Sequence, residues 1–132
     1  DVVFAMSSCT DSNYGSQFRL PGTFAPTADF SLLEKGVQAA RKLGVSHHVG
    51  SVVSSDLFYG DYGDSLKDWK KMGVLAVEME SAGLYMNAAR AGKKALALFT
   101  ISDLPLTGEA LSAKERQTTF TQMMEIALEI AE

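Results

Sequence analysis

The stretch Gly73-Val74-Leu75-Ala76-Val77-Glu78-Met79-Glu80-Ser81-Ala82-Gly83 constrains the fold most, because an apolar run stops there at two carboxylates separated by one methionine. Val74 to Val77 reads as a buried strand, parallel to its neighbours, while apolar residues from Ser81 to Arg90 recur at helical spacing. Glu78 and Glu80 therefore sit on a strand-to-helix turn. In open α/β sheets that edge is where ligands bind. A plain structural reading stands beside it: acidic residues open helices because the amino-terminal end of the helix dipole is positive.

The same alternation extends along the chain. Val2 to Met6 reads as a first strand, followed by a polar loop over Ser7 to Ser16 and a stretch through Phe18, Leu20, Phe24 and Pro26 without period. An amphipathic helix carries Phe30, Leu32, Leu33, Val37, Ala40 and Leu43, and Gly44 closes it. Val45 to Val53 is the next strand, and Ser54 to Asp64 a loop rich in glycine, acids and aromatics. Ser65 to Met72 forms a short helix with Trp69 as a packing residue, closed by Gly73. A further apolar strand, Ala95 to Ile101, also ends at an acid, Asp103. Ser112-Ala113-Lys114-Glu115 has the form of a capping box, and the helix after it runs to the end, burying Phe120, Met123, Met124, Ile126, Ala127 and Ile130.

Strands alternating with helices give βαβ units, hence an α/β fold with a mostly parallel central sheet covered by helices on both sides. Neighbouring strands would then deliver Glu78, Glu80 and Asp103 to one sheet edge. The 132 residues suffice for one compact domain. The chain opens on Asp1 within a strand-like run and without an initiator methionine, which reads as part of a longer protein.

A formal charge of −4 argues against a general binder of nucleic-acid backbone, and no apolar run has membrane length. Cys9 is the only cysteine, so no disulfide forms within the chain, and a reducing, cytoplasmic setting is expected. No zinc spacing or glycine-rich phosphate loop occurs. His47 and His48 are adjacent on a strand, so they face opposite ways and share no metal. Phe58 or Tyr59 could stack on a planar base or simply anchor its loop. Arg116 sits in a helix first turn, where the dipole disfavours a cation.

Taken together, Val77-Glu78-Met79-Glu80-Ser81-Ala82-Gly83, Ser102-Asp103 and Glu115-Arg116-Gln117-Thr118-Thr119-Phe120 resemble the hexameric, bacterial-type purine nucleoside phosphorylases; Thr10-Asp11-Ser12 and Ser55-Asp56-Leu57-Phe58-Tyr59 fit the same pattern. The Glu-Met-Glu element is shared with related nucleosidases, whereas the Glu-Arg-Gln-Thr-Thr-Phe start is more selective. The resemblance covers essentially the whole chain. It implies the mixed, mostly parallel nucleoside phosphorylase fold, with residues 1–132 as the carboxy-terminal part of a single domain.

The implied activity is reversible phosphorolysis of purine nucleosides in purine salvage, with inorganic phosphate as co-substrate and no other cofactor or metal. Asp103 would be the general acid that protonates the departing base, and Arg116 would drive that donation after the loop from Leu104 to Leu111 moves. Glu80, with Met79, Glu78 and Val77, would hold the ribose; Phe58 would stack on the purine, and Ser102 would lie near the base. Leu104 stands where some members carry histidine, beside Pro105, which predicts altered loop stiffness. The family's phosphate loop and phosphate-binding arginines lie in an amino-terminal part that this sequence lacks. The expected partners are that part and further copies, in a hexamer built from dimers, with neither nucleic acid nor membrane. A nucleosidase of the adenosylhomocysteine type and an inactive nucleoside-binding fragment remain as alternatives.

Overall fold

The computed structural model of the chain describes residues 1–58, 63–118 and 120–131. At its centre is β1 (Val2–Thr10). On one side it pairs in parallel with β2 (His47–Ser54), which is flanked in turn by a short parallel β3 (Val77–Glu78). On the other side it pairs antiparallel with β4 (Leu98–Thr100), giving the order β3-β2-β1-β4. The sheet is thus mixed and mostly parallel. A separate hairpin joins β5 (Asp103–Leu104) to β6 (Glu109–Ala110). The helices are α1 (Phe30–Lys42), α2 (Ser65–Lys71), α3 (Ser81–Arg90), α4 (Ala113–Thr118) and α5 (Thr121–Ala131). None is long and apolar enough to cross a membrane among the described residues.

Because side chains alternate across a strand, β1 feeds two cores. Val2 and Phe4 pack with Leu33, Ala39 and Ala40 of α1, Val45, and Ile126 of α5. Val3 and Ala5 pack with Val52, Ala97 and Tyr85 of α3. Burial on both faces explains the unbroken apolar run. Asp29 caps α1, accepting from the Leu32 amide at 3.1 Å and the Ser31 hydroxyl at 2.5 Å. The Ser31 bond, helped by the Leu32 amide and the Lys94 charge, holds the Asp29 carboxyl below the usual range against a smaller effect of burial. Gly44 follows the helix at φ 67°.

Within α1, Gly36 lets the helix backbone approach the sheet. A Cβ there would lie 2.6 Å from Phe4 Cε1 and 3.0 Å from Ile130 Cδ1. A glycine inside a helix costs about 0.5–1 kcal/mol relative to alanine, so close packing outweighs propensity here.

Tyr85 joins α3 to the sheet. Its hydroxyl, almost fully buried, donates to Ala5 O at 2.5 Å and accepts from Ala97 N at 3.0 Å, while Ala5 N donates directly to Ala97 O at 3.0 Å. The ring oxygen therefore replaces one rung of the β1/β4 ladder. Burial pushes the Tyr85 pKa above its ordinary 10.0; the Ala97 amide opposes that rise, and the charge of Glu78 adds to it.

Five expectations need correction. The strand expected over Val74 to Val77 is regular only at Val77–Glu78, and Leu75 is 45% exposed. β1 continues beyond Met6 to Thr10, through residues expected as loop. Its hydroxyls are satisfied across the sheet: Ser7 Oγ lies 2.7 Å from Ser51 Oγ, Ser8 Oγ 3.0 Å from Ser54 Oγ, and Thr10 Oγ1 donates to Ser54 O at 2.8 Å. Regular pairing of the fourth apolar run covers Leu98–Thr100 alone, and it lies antiparallel beside β1 instead of next to β3. Apolar runs report burial and carry neither direction nor neighbour. The terminal helix is divided, with α4 ending at Thr118, α5 starting at Thr121 and Phe120 in neither. On α5, Met124 and Ala127 face outward, whereas Ile126 is fully buried and Met123 and Ile130 pack at the core's margin.

Two stability predictions follow from these contacts. Gly36→Ala lowers stability by about 1–3 kcal/mol through overpacking, read as a drop in denaturation midpoint; an unchanged or raised midpoint would contradict the close approach. Tyr85→Phe orphans Ala97 N–H and Ala5 C=O, for a loss of about 1–3 kcal/mol. Since the folded pKa of Tyr85 lies above the unfolded one, its contribution is intact below pH 10 and fades as pH rises towards the folded value. Stability against pH should therefore fall less steeply on the alkaline side in Tyr85→Phe.

Candidate functional site

The carboxyl ends of β1, β2 and β3 meet around Glu78. Its Oε1 accepts from the hydroxyls of Ser54 and, at 2.7 Å, Ser81; its Oε2 accepts from the amides of Glu80 and Ser81, both at 2.8 Å. An ionised carboxylate offers about four acceptor positions, so the chain itself fills them. Ser81 Oγ also lies 2.8 Å from Ser8 Oγ, and Ala82 N donates to Ser54 Oγ at 2.9 Å. The glutamate thus folds back over the first turn of α3, satisfying amides that a helix start leaves without partners.

Asp11 does the same for the next loop. Its Oδ2 accepts from Ser55 Oγ at 2.6 Å and its Oδ1 from Asp56 N at 2.9 Å, while Ser55 Oγ accepts from Leu57 N at 3.1 Å. Phe58 follows directly, 60% exposed. Tyr59, the other ring considered for stacking, lies outside the described residues. Val77 is half-buried in β3; Met79 is 38% exposed and Glu80 is exposed. Among the described residues no protein group hydrogen-bonds the Glu80 carboxylate. The turn therefore presents one glutamate outward and spends the other inward.

A second group forms around Asp103. Arg116 Nη2 donates to Asp103 Oδ1 at 2.6 Å, and Arg116 Nε to Leu111 O at 3.2 Å. Ser102 Oγ donates to Asp103 Oδ2 at 3.1 Å. The segment from Leu104 to Leu111, expected as a loop, is built on the β5/β6 hairpin: Gly108 N donates to Leu104 O at 2.9 Å, Gly108 has φ 79°, and Leu111 N closes onto Ser102 O at 2.8 Å. Behind it Ser112 and Glu115 form the expected capping box, with Ser112 N donating to Glu115 Oε2 at 2.8 Å and Glu115 N to Ser112 Oγ at 3.3 Å. The capping box starts α4 and sets Arg116 over Asp103. The pair borders an open cleft of about 600 Å³ whose far wall is Gly63, Leu66 and Lys67.

The three acids do not share one sheet edge. Glu78 is in register with Ser54, and Ser54 with Thr10, whereas Thr100 is in register with Val2. That difference in level is set at Thr100; Asp103 lies three residues further on, beyond β4 and in the β5/β6 hairpin. Running antiparallel on the far side of β1, β4 carries Asp103 away from Glu78 in strand order. What both groups border is the connection from β2 to α2, which bears Phe58 at one end and the cleft wall from Gly63 at the other.

His47 and His48 stand apart from both groups: His47 Nδ1 contacts Val45 O at 2.8 Å, and His48 Nε2 contacts Asp1 Oδ2 at 2.9 Å. Among the described residues no group of three or more His, Cys, Asp or Glu could hold a metal. Sequence reasoning missed Ser8 and Ser54 as builders of the site, and quoted Asp11, Ser55 and Ser81 within motifs without giving them a role. The available signal was a serine at the carboxyl end of each of the first strands.

Residues 1–132 match the Phosphorylase superfamily. Over 133 aligned positions the chain is 50% identical to a DeoD-type purine nucleoside phosphorylase of Clostridium novyi and 53% identical to one of Thermoanaerobacter sp. strain X514. In each case all of this chain is covered but only 57% of the relative. Its fold is that of the purine nucleoside phosphorylase of Toxoplasma gondii, crystallised with immucillin-H, with a TM-score of 0.83 at 22% identity, over 98% of this chain and 54% of that one. With a family match from first residue to last, the chain belongs to the phosphorylase superfamily.

Proposed function

We propose that this chain carries the nucleoside-binding part of an enzyme for reversible phosphorolysis of purine nucleosides. The observation that carries the reading is the 2.6 Å contact between Arg116 Nη2 and Asp103 Oδ1 at an open cleft, with Ser102 alongside. As the glycosidic bond breaks, electrons move onto the purine, and a phosphate oxygen adds to the sugar carbon left behind. Protonating a ring nitrogen of the base from Asp103 stabilises its departure. Arg116 then balances the carboxylate that remains. Phe58 offers an exposed ring for the purine, and Glu80 an exposed acceptor for ribose hydroxyls beside Met79 and Val77.

Inorganic phosphate is the co-substrate in this reading, with no organic cofactor. Because the chain spans just over half of the relatives it matches, the phosphate-binding groups are assigned to an amino-terminal part of the same enzyme. Assembly as a homo-oligomer, a hexamer built from dimers, and a salvage role in the cytoplasm complete the proposal. A nucleosidase would use water in place of phosphate, and the Arg116–Asp103 pair favours the phosphorylase.

Inosine and adenosine, incubated with and without phosphate and analysed for products, test the reading in the whole natural protein. Phosphate-dependent release of base with ribose 1-phosphate is expected. Free ribose released without phosphate would establish the nucleosidase, and nucleoside binding without turnover the inactive fragment. Asp103→Asn should lower kcat about 10²–10⁴-fold, and Arg116→Ala should lower it in the same direction. Turnover unchanged in Arg116→Ala would remove the guanidinium from the mechanism.

A further inference from the structure

Two glutamates one residue apart have opposite surroundings. Glu80 is exposed, while Glu78 is held from four sides by the Ser54 and Ser81 hydroxyls and by the Glu80 and Ser81 amides. Ser8, Ser54 and Ser81 are themselves almost fully buried and linked to one another by hydroxyl contacts of 2.8 to 3.3 Å. Burying so many polar groups is tolerable only because each is satisfied. Their arrangement fixes the backbone at one place, the Glu80 amide.

We infer that Glu78 is a positioning residue, and that with Ser8, Ser54 and Ser81 it orients Glu80 as the sugar acceptor without itself contacting the sugar. The inference rests on the reading above, in which Glu80 receives ribose hydroxyls. Its physical content is pre-organisation. An exposed glutamate on a free turn would sample many orientations and lose them on binding. Tying its own amide to the preceding carboxylate removes the backbone share of that freedom. The bond also sets the direction in which the side chain leaves the turn. The negative charge of Glu78 sits over the start of α3, where the helix dipole favours it.

The test compares kcat/KM for inosine with that for 2′-deoxyinosine in the whole natural protein. Glu80→Gln should reduce the preference for the ribonucleoside about ten- to hundredfold, since a hydrogen bond to a charged acceptor is lost. Glu78→Gln should reduce it in the same direction, because a carboxamide has one acceptor oxygen where the carboxylate has two, so either the Glu80 and Ser81 amides or the Ser54 and Ser81 hydroxyls lose their acceptor. The double variant Glu78→Gln/Glu80→Gln should be no worse than Glu80→Gln alone. If Glu78→Gln does not fold, Ser54→Ala, which keeps the charge but removes one hydroxyl from Oε1, should shift the ratio likewise.

A Glu78→Gln or Ser54→Ala protein that melts earlier yet keeps the normal ratio would overturn the positioning role. So would effects of the two glutamate changes that multiply in the double variant, as expected of two separate ligands. A Glu80→Gln protein with a normal ratio would instead overturn the sugar assignment itself, and the inference with it.

Discussion

The hydrogen-bonded carboxylate of Glu78 is the interaction on which the rest of this structure depends. β3 is only two residues long, and its side chains are half-buried, so apolar packing alone gives it little purchase. Beside its backbone bonds to β2, in which Val53 N donates to Ala76 O and Ser55 N to Glu78 O, what holds it is the Glu78 side chain, bonded to Ser54 at the end of β2 and to Ser81 at the start of α3. The four buried polar residues of the described chain, Ser8, Ser54, Ser55 and Ser81, all lie at this junction or beside it. Removing one partner from such a cluster strands the others, at a cost of about 1–3 kcal/mol for each unsatisfied group. The junction is consequently all or nothing. It keeps three strand ends and one helix start in a single arrangement.

That arrangement leaves the outward side of the edge available. With Glu78 directed inward and Asp11 holding the following loop, Phe58, Met79 and Glu80 are presented from fixed backbone. The Asp103–Arg116 pair is built by different means, a hairpin closed by Gly108 and a capping box that starts α4. In both places a carboxylate bonded to amides or hydroxyls one to three residues away supplies the local order. Packing supplies the rest: Tyr85 ties α3 to β1 and β4, and Ile126 ties α5 to the same strand from its other face.

Much of this was legible in sequence where the signal is local. The apolar stretch of β1, the amphipathic pattern of α1, the turn at Glu78-Met79-Glu80 and the capping box at Ser112 are each encoded within a few residues. The boundaries of α1 and α3 also followed from nearby caps and glycines. The serine network was not legible, because Ser8, Ser54 and Ser81 meet across 27 to 73 residues of chain, and each alone resembles any loop serine. The direction of β4 was hidden for a similar reason: its run of apolar residues is the same whether it pairs with β3 or β1. The contrast between Glu78 and Glu80 depends on which carboxylate finds hydroxyls behind it, something their shared motif does not reveal.

Amide hydrogen exchange resolved at Glu80, Ser81 and Ala82 tests the account most directly. These amides donate to Glu78 Oε2 and Ser54 Oγ, so they should open only with the surrounding core and exchange far more slowly than an unstructured turn. Protection at all three that falls together in Glu78→Ala is the predicted result. Exchange of Glu80 and Ser81 at the rate of a free loop in the unsubstituted protein would mean that Glu78 does not hold the turn, and would contradict the account.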